Sequence, residues 1–278
     1  MVGKLIESFD GTKIYYDVSK KGKKVLVFLH GWPHNHTVWK KELAYFQRRG
    51  YSTIALDLRG HGKSGMPGNL RDYSFNKFAK DICLVAKKEK IRKFVLIGHS
   101  FGGMVALTYY SLFPRDVSAL VLIDTIYENP LKHYSILKYL NLTPLTAHLL
   151  KFILKNEKIQ KKHFNYIDFS KFSDHSDLYY WFKGAKETPW KSIFACLEEM
   201  IKFDKRSVLS KIKVPTLVVE GEKDTKTAIE DVREMARKIK TSRLEIVAGG
   251  SHDVNIRQPH KVEEIILKFL KATGYKVI

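Results

Sequence analysis

Three side chains in this 278-residue sequence could together carry out nucleophilic chemistry. Ser100 lies in Gly98-His99-Ser100-Phe101-Gly102, Asp224 in Glu220-Gly221-Glu222-Lys223-Asp224, and His252 in Ala248-Gly249-Gly250-Ser251-His252-Asp253. A serine hydroxyl is a poor nucleophile at neutral pH. It needs a base to accept its proton and a third group to orient that base. An imidazole and a carboxylate can fill those two roles. Together they would drive attack on a carbonyl carbon and transfer of the acyl group. Asp124, which also follows an apolar run, is the rival for the acid position. Negative charge developing on the carbonyl oxygen needs donors as well. The backbone N–H groups of Trp32, in His30-Gly31-Trp32-Pro33, and of Phe101 are the candidates. His30 suits a loop-holding hydrogen bond better than a role as base.

These residues need elements that place them. Lys93 to Ile97 begins a run of Val, Leu and Ile, the pattern of a strand buried on both faces. Met104 to Phe113 then reads as a buried helix. The turn between them must be sharp, and it holds Ser100 in a strained conformation at a helix N-terminus, where the dipole favours negative charge. Glycines at 98 and 102 remove side chains that would clash there.

The same alternation recurs along the chain. Residues 4–9 and 12–19 read as a hairpin around Asp10-Gly11. Strands follow at Val25–Leu29, Thr53–Leu56 and Ala119–Ile123. Helices are expected over Thr37–Arg49, closed by Gly50, and from a Ser74 cap to about Lys90. Beyond Asp124 the alternation stops. It returns with a strand at Pro215–Val219, a helix near 227–240, a strand at Leu244–Val247 and a final helix from Pro259 to Lys271. The fold class expected is α/β, a mostly parallel central sheet with helices on both faces. The organisation expected is a first core part over 1–124, a helical cap over 125–205 and a second core part over 206–278. Ser100, Asp224 and His252 each follow a strand, at the edge where open parallel sheets place their sites.

Through these motifs together, the chain resembles serine hydrolases of the α/β-hydrolase fold, in the capped esterase and cofactor-free haloperoxidase-like branch. The resemblance rests on His30-Gly31-Trp32-Pro33, Asp57-Leu58-Arg59-Gly60-His61-Gly62-Lys63-Ser64, the Ser100 turn, Gly221-Glu222-Lys223-Asp224 and Gly250-Ser251-His252. Ser, Asp, His is also the chain order of that fold. The resemblance implies a serine carboxylesterase acting on small to medium acyl esters through an acyl-enzyme. Ser100 would be nucleophile, His252 base and Asp224 orienting acid, with Trp32 and Phe101 as oxyanion donors. No cofactor or metal is implied. Lactone, thioester, peracid or carbon–carbon bond chemistry could use the same three residues, as could a ligand receptor that keeps them for binding. Epoxide hydrolases and haloalkane dehalogenases share the first motif but need an aspartate nucleophile, and position 100 is serine.

Other signals carry less. Gly60-His61-Gly62-Lys63-Ser64-Gly65 matches a dinucleotide fingerprint, but Met66-Pro67-Gly68 forbids the helix such a site requires. Its Gly-Lys-Ser mimics the end of a P-loop, yet the required first glycine is Asp57. His30, His34 and His36 lie close in sequence without nearby carboxylate ligands. The net charge of +20 comes from lysines spread along the whole chain, which reads as a solvated surface and not a nucleic-acid face. The basic run Lys151–Lys162 is the densest part and is not expected to bind nucleic acid. Two distant cysteines, no signal-peptide pattern and no spanning run lead us to expect a cytoplasmic protein, monomer or homodimer, whose partner is a small ester. The region 125–205 is rich in aromatics: Tyr127, Tyr134, Tyr139, Phe152, Phe164, Tyr166, Tyr179, Tyr180, Trp181, Phe182, Trp190 and Phe194. Most should pack the cap's own interior, and a minority should line an acyl or alcohol pocket.

Overall fold

The computed structural model describes residues 1–133 and 177–277, with six further positions from 152 to 162. The chain opens with β1 (Val2–Glu7) and β2 (Lys13–Ser19), an antiparallel hairpin turned at Gly11, whose φ is +79°. It continues through β3 (Val25–Leu29), α1 (Lys40–Arg48), β4 (Ser52–Leu56), α2 (Phe75–Lys88), β5 (Phe94–His99), α3 (Phe101–Leu112) and β6 (Val117–Ile123). After β6 come α4 (Asp177–Glu187), α5 (Trp190–Ile201) and the single turn α6 (Arg206–Leu209). The chain closes with β7 (Thr216–Gly221), α7 (Ile229–Lys238), β8 (Ser242–Val247), the short α8 (Val254–Arg257) and α9 (Pro259–Ala272).

The eight strands form one sheet in the order β1-β2-β4-β3-β5-β6-β7-β8. β2 pairs antiparallel with both β1 and β4, and every other pairing is parallel. The expected α/β class is therefore the observed one. The pleat explains why the central strands read as unbroken apolar runs. Val25, Val27 and Leu29 point to a layer with α2 and α3. Leu26 and Phe28 point the other way, to Leu43 and Phe46 of α1 and Val262, Ile266 and Phe269 of α9. Both faces are covered, so both phases of the two-residue repeat must be apolar.

Two local expectations change in detail. The helix expected from Thr37 begins as a 3₁₀ turn, His36–Trp39, because the Asn35 side chain accepts the Thr37 N–H at 3.0 Å and tightens the entry. Ser74 stands before α2, but its side chain makes no capping bond; its carbonyl takes the Lys77 and Phe78 N–H groups instead. Between β6 and β7 the described residues contain helices and a single isolated bridge, Glu128 to Asp204. Among them, no helix is long and apolar enough to cross a membrane.

Candidate active site

The strand–turn–helix around Ser100 has the geometry its sequence demanded. Ser100 has φ +50° and ψ −116°, a conformation non-glycine residues avoid. Neighbours on every side hold it there. Its N–H donates to the Ile123 carbonyl at 2.8 Å, and its carbonyl accepts from Gly103 N–H at 2.8 Å and Thr125 Oγ1 at 2.6 Å. A Cβ on Gly98 would sit 2.4 Å from the Gly102 carbonyl oxygen, and one on Gly102 would sit 2.3 Å from that of Leu29. Both contacts lie far inside van der Waals distance, so the turn closes only with glycine at both positions.

His252 reaches Ser100 from the loop after β8. The Gly250 carbonyl accepts the Lys223 N–H at 2.7 Å, and the Gly249 N–H donates to Glu222 at 2.8 Å. The loops after β7 and β8 are thus tied together. Buried His99 fixes the backbone of His252 from beneath: its Nε2 lies 2.8 Å from the His252 carbonyl oxygen. Burial, with the neighbouring His252, pushes the His99 pKa down to about 3, so its ring is neutral and its Nε2–H donates. His99 occupies the variable place of the Gly98–Gly102 motif, and sequence reasoning gave it no role.

The three side chains then line up. His252 Nε2 is 2.9 Å from Ser100 Oγ, and His252 Nδ1 is 2.7 Å from Asp224 Oδ2. Asp224 Oδ1 accepts the N–H of Lys226 at 2.6 Å and of Thr227 at 3.2 Å. Burial alone would raise the pKa of Asp224. The charge and hydrogen bond of His252, with the Lys226 and Thr227 bonds, outweigh burial and hold it at about 2. Asp224 is therefore a carboxylate that only accepts, so His252 Nδ1 carries the proton. The Nε2 lone pair faces the Ser100 hydroxyl, the arrangement a general base requires.

Asp124, the rival acid, does something else. Fully buried at the end of β6, it accepts the Gly221 N–H at 2.9 Å and the Val254 N–H at 3.1 Å. It clamps the loop carrying Asp224 to the segment that follows His252. Burial, and the nearby Glu220 and Asp224 carboxyls, push its own pKa well up.

Opposite Ser100 runs the segment from His30 to Pro33, with a cis peptide between Trp32 and Pro33. His30 Nε2 accepts the Leu58 N–H at 3.0 Å, which leaves Nδ1 to donate to the Gly31 carbonyl at 2.9 Å. Burial holds this imidazole neutral. The loop that steadies it is the Asp57–Ser64 stretch, itself anchored by a fully buried Arg59 that is bidentate to Asp81 at 2.6 and 2.7 Å. Gly60 and Gly62 turn with φ of +77° and +53°, and no helix starts there, so the fingerprint-like glycines serve a loop. Among the described residues, the Trp32 and Phe101 N–H groups have no hydrogen-bond acceptor.

A cavity of about 350 Å³ opens over these groups. Ser100 and His252 line it together with Trp32, Met104, Ile126 and Pro130 and, from α4 and α5, Trp181, Phe182, Leu197 and Met200. Trp181 meets Trp32 edge-on at 5.4 Å, and the Trp32 indole N–H donates to the Ile193 carbonyl at 3.1 Å, so α4 and α5 sit on this loop. Of the aromatics singled out after residue 125, Trp181 and Phe182 line the cavity. Tyr127 is buried in the main core, and Phe194 packs against that core. Tyr134, Tyr139, Phe164 and Tyr166, and the side chains of Tyr179 and Tyr180, lie outside the described residues, as does half of Lys151–Lys162; Phe152 is exposed. Sequence reasoning also passed over Lys226 and Thr227, which follow Asp224 and line the same cavity.

Two groupings bear on metal binding. His30, His34 and His36 turn to different partners: Leu58 and Gly31, Asp253 at 3.6 Å, and Asp57 at 2.7 Å. They do not converge. Asp124, Glu220 and Asp224 do bring oxygens within 4.8 Å of one another. Yet both oxygens of Asp124 and both of Asp224 already accept from N–H or imidazole donors.

Comparison with known proteins agrees with this architecture. Residues 24–259 match the family model described as alpha/beta hydrolase fold. Epoxide hydrolase 3 of Xenopus tropicalis is 28% identical over 281 residues, covering 94% of this chain and 75% of that protein. The bifunctional esterase/perhydrolase DCH of Acinetobacter calcoaceticus is 25% identical over 278 residues, covering 95% and 98%. Among solved structures, the esterase EaEST of Exiguobacterium antarcticum superposes with a TM-score of 0.76 at 26% identity, covering 97% of this chain and all of that one (100%). On the strength of that match across most of its length, and of its sheet order, the chain belongs to the alpha/beta hydrolase fold family, as a hydrolase of the esterase and haloperoxidase-like branch.

Proposed function

We propose that the protein is a serine carboxylesterase acting on small to medium acyl esters. The observation that carries this reading is the continuous chain Ser100 Oγ–His252–Asp224, at 2.9 and 2.7 Å, whose serine and histidine line a largely apolar cavity. Ser100 attacks the ester carbonyl while His252 Nε2 takes its proton. Asp224 holds the imidazole in the productive tautomer and steadies the imidazolium that forms. The Trp32 and Phe101 N–H groups, aided by the N-terminus of α3, receive the oxyanion. His252 passes its proton to the departing alcohol, then activates the water that releases the acid. No step requires a metal or cofactor. Within the region 125–205, α4 and α5 serve as a lid that shapes the acyl pocket.

One second reading has support of its own. His30-Gly31-Trp32-Pro33 and the DCH relative, named for both activities, favour exchange of the acyl group onto hydrogen peroxide at the same serine. Epoxide opening, suggested by the Xenopus relative's name, lacks its aspartate nucleophile, because Ser100 stands in that place. The test is a panel of chromogenic esters of rising acyl length, with lactones and peracid formation included, alongside fluorophosphonate labelling. Ser100→Ala should abolish turnover and labelling in a folded protein. Labelling that moves to another serine would overturn the assignment. A wild type that labels but completes only a few slow cycles would point to a receptor.

A further inference from the structure

Behind Asp224 lies a buried carboxyl that acyl transfer does not use. Glu220 is the only charged residue in the buried strand β7, and it is 1% exposed. The Thr227 hydroxyl contacts two carboxyls at once: Glu220 Oε1, and Asp224 Oδ2 at 2.8 Å. A hydroxyl has one proton, so it can donate to only one of them. The other contact is a hydrogen bond only if that carboxyl itself carries a proton and donates it to Thr227 Oγ1.

The surroundings show which carboxyl that is. Asp224 receives the N–H groups of Lys226 and Thr227 and the imidazole of His252, a set that suits an anion. Glu220 receives no N–H, and its Oε2 is buried without a hydrogen-bond partner. An ionised carboxylate with a bare buried oxygen is costly, whereas a neutral carboxyl tolerates it. The groups facing Glu220 among the described residues are Asp224 from its own loop, Asp124 from the end of β6 and, across Asp224, His252 from the loop after β8. No cation is paired with it there. Three carboxyls this close cannot all ionise.

We propose that Glu220 is a positioning residue held protonated, whose O–H donates to Thr227 Oγ1 while Thr227 donates onward to Asp224 Oδ2. The acid that orients His252 is then itself oriented by a neutral carboxyl. Burial, reinforced by the Asp224 charge, pushes the Glu220 pKa up to about 9, so the relay holds at neutral pH and breaks in alkali. Once Glu220 ionises, two anions compete for a single hydroxyl proton.

The role rests on the Ser100–His252–Asp224 reading, and the experiment separates the two. Glu220→Gln keeps a neutral donor of the same shape at every pH. In wild type, the fluorophosphonate labelling rate and kcat should fall as pH rises through about 9; in Glu220→Gln both should stay level there. Thr227→Val should lower kcat by on the order of tenfold with little change in KM, the worth of one good hydrogen bond. Infrared difference spectra between neutral and alkaline pH do not depend on catalysis. They should show a protonated-carboxyl band in wild type that loses one carboxyl's share of its intensity in Glu220→Gln, the remainder belonging to buried groups such as Asp124. If Ser100 fails to label but the band behaves this way, the proton assignment stands and the catalytic reading falls. If Glu220→Gln keeps the full wild-type band, or shows the same alkaline fall as wild type, the relay is overturned.

Discussion

Replacing Asp224 with asparagine tests the geometry most directly, because the structure dictates how the amide must sit. Asp224 Oδ1 accepts two backbone N–H groups, from Lys226 at 2.6 Å and Thr227 at 3.2 Å. In Asp224→Asn the carbonyl oxygen must stay on those donors. Turning the amide over would set its NH₂ against both, at about 1–3 kcal/mol for each donor left unsatisfied. The NH₂ therefore faces His252 Nδ1, which now has to accept. The ring proton shifts to Nε2, the nitrogen 2.9 Å from Ser100 Oγ, and that nitrogen can no longer take the serine proton. A wrong tautomer of this kind costs on the order of 10⁴ in kcat, about 5.4 kcal/mol of transition-state stabilisation at 1.36 kcal/mol per tenfold. Asp124→Asn is the control. It leaves either the Gly221 or the Val254 N–H without an acceptor, so it should cost about 1–3 kcal/mol of stability and less than roughly tenfold in kcat. The assay is steady-state ester hydrolysis beside the rate of fluorophosphonate labelling, with circular dichroism to confirm folding. If Asp224→Asn keeps kcat within tenfold of wild type, or if Asp124→Asn is the more damaging, the tautomer argument is refuted.

Ser100→Gly should abolish turnover yet raise the melting temperature, because glycine relieves the φ of +50°, a strain worth about 1–3 kcal/mol; thermal scans showing no gain would mean the turn stores no strain. Gly98→Ala should prevent the native turn from closing, since its Cβ would meet the Gly102 carbonyl oxygen at 2.4 Å, and soluble, active Gly98→Ala would contradict that packing. Each methylene buried in the cavity is worth about 0.8 kcal/mol, so kcat/KM should rise up to roughly fourfold per added acyl carbon until the pocket fills. Trp181→Ala should shift the preferred chain length, while Trp190→Ala, which does not line the cavity, should leave the profile's shape unchanged. Stability should also report on Glu220. Between its ordinary value of 4.5 and about 9, the native state keeps a proton that the unfolded chain releases. Wild-type stability should therefore fall as pH rises through that window relative to Glu220→Gln, and parallel curves for the two proteins would show that Glu220 is ionised when folded.

What could be read from the amino-acid order is what short-range physics dictates. The central strands are apolar in both phases because helices cover both faces of the sheet, and a two-residue repeat shows this within five residues. The Ser100 turn is legible because its glycines answer clashes between atoms only a few residues apart. Which groups share a site depends instead on the order of strands and the aim of loops, set by contacts far apart in the chain. Asp124 and Asp224 both follow strands; only the folded sheet turns one toward His252 and gives the other to the Gly221 and Val254 N–H groups. Glu220 reads as a lone acid in an apolar strand, and its meaning comes from Thr227 and Asp224 converging on it. Trp181 and Tyr127 look alike in an aromatic-rich stretch, yet one lines the cavity and the other is buried in the core. Composition makes a side chain apolar, but the surface it covers is chosen by where its helix docks.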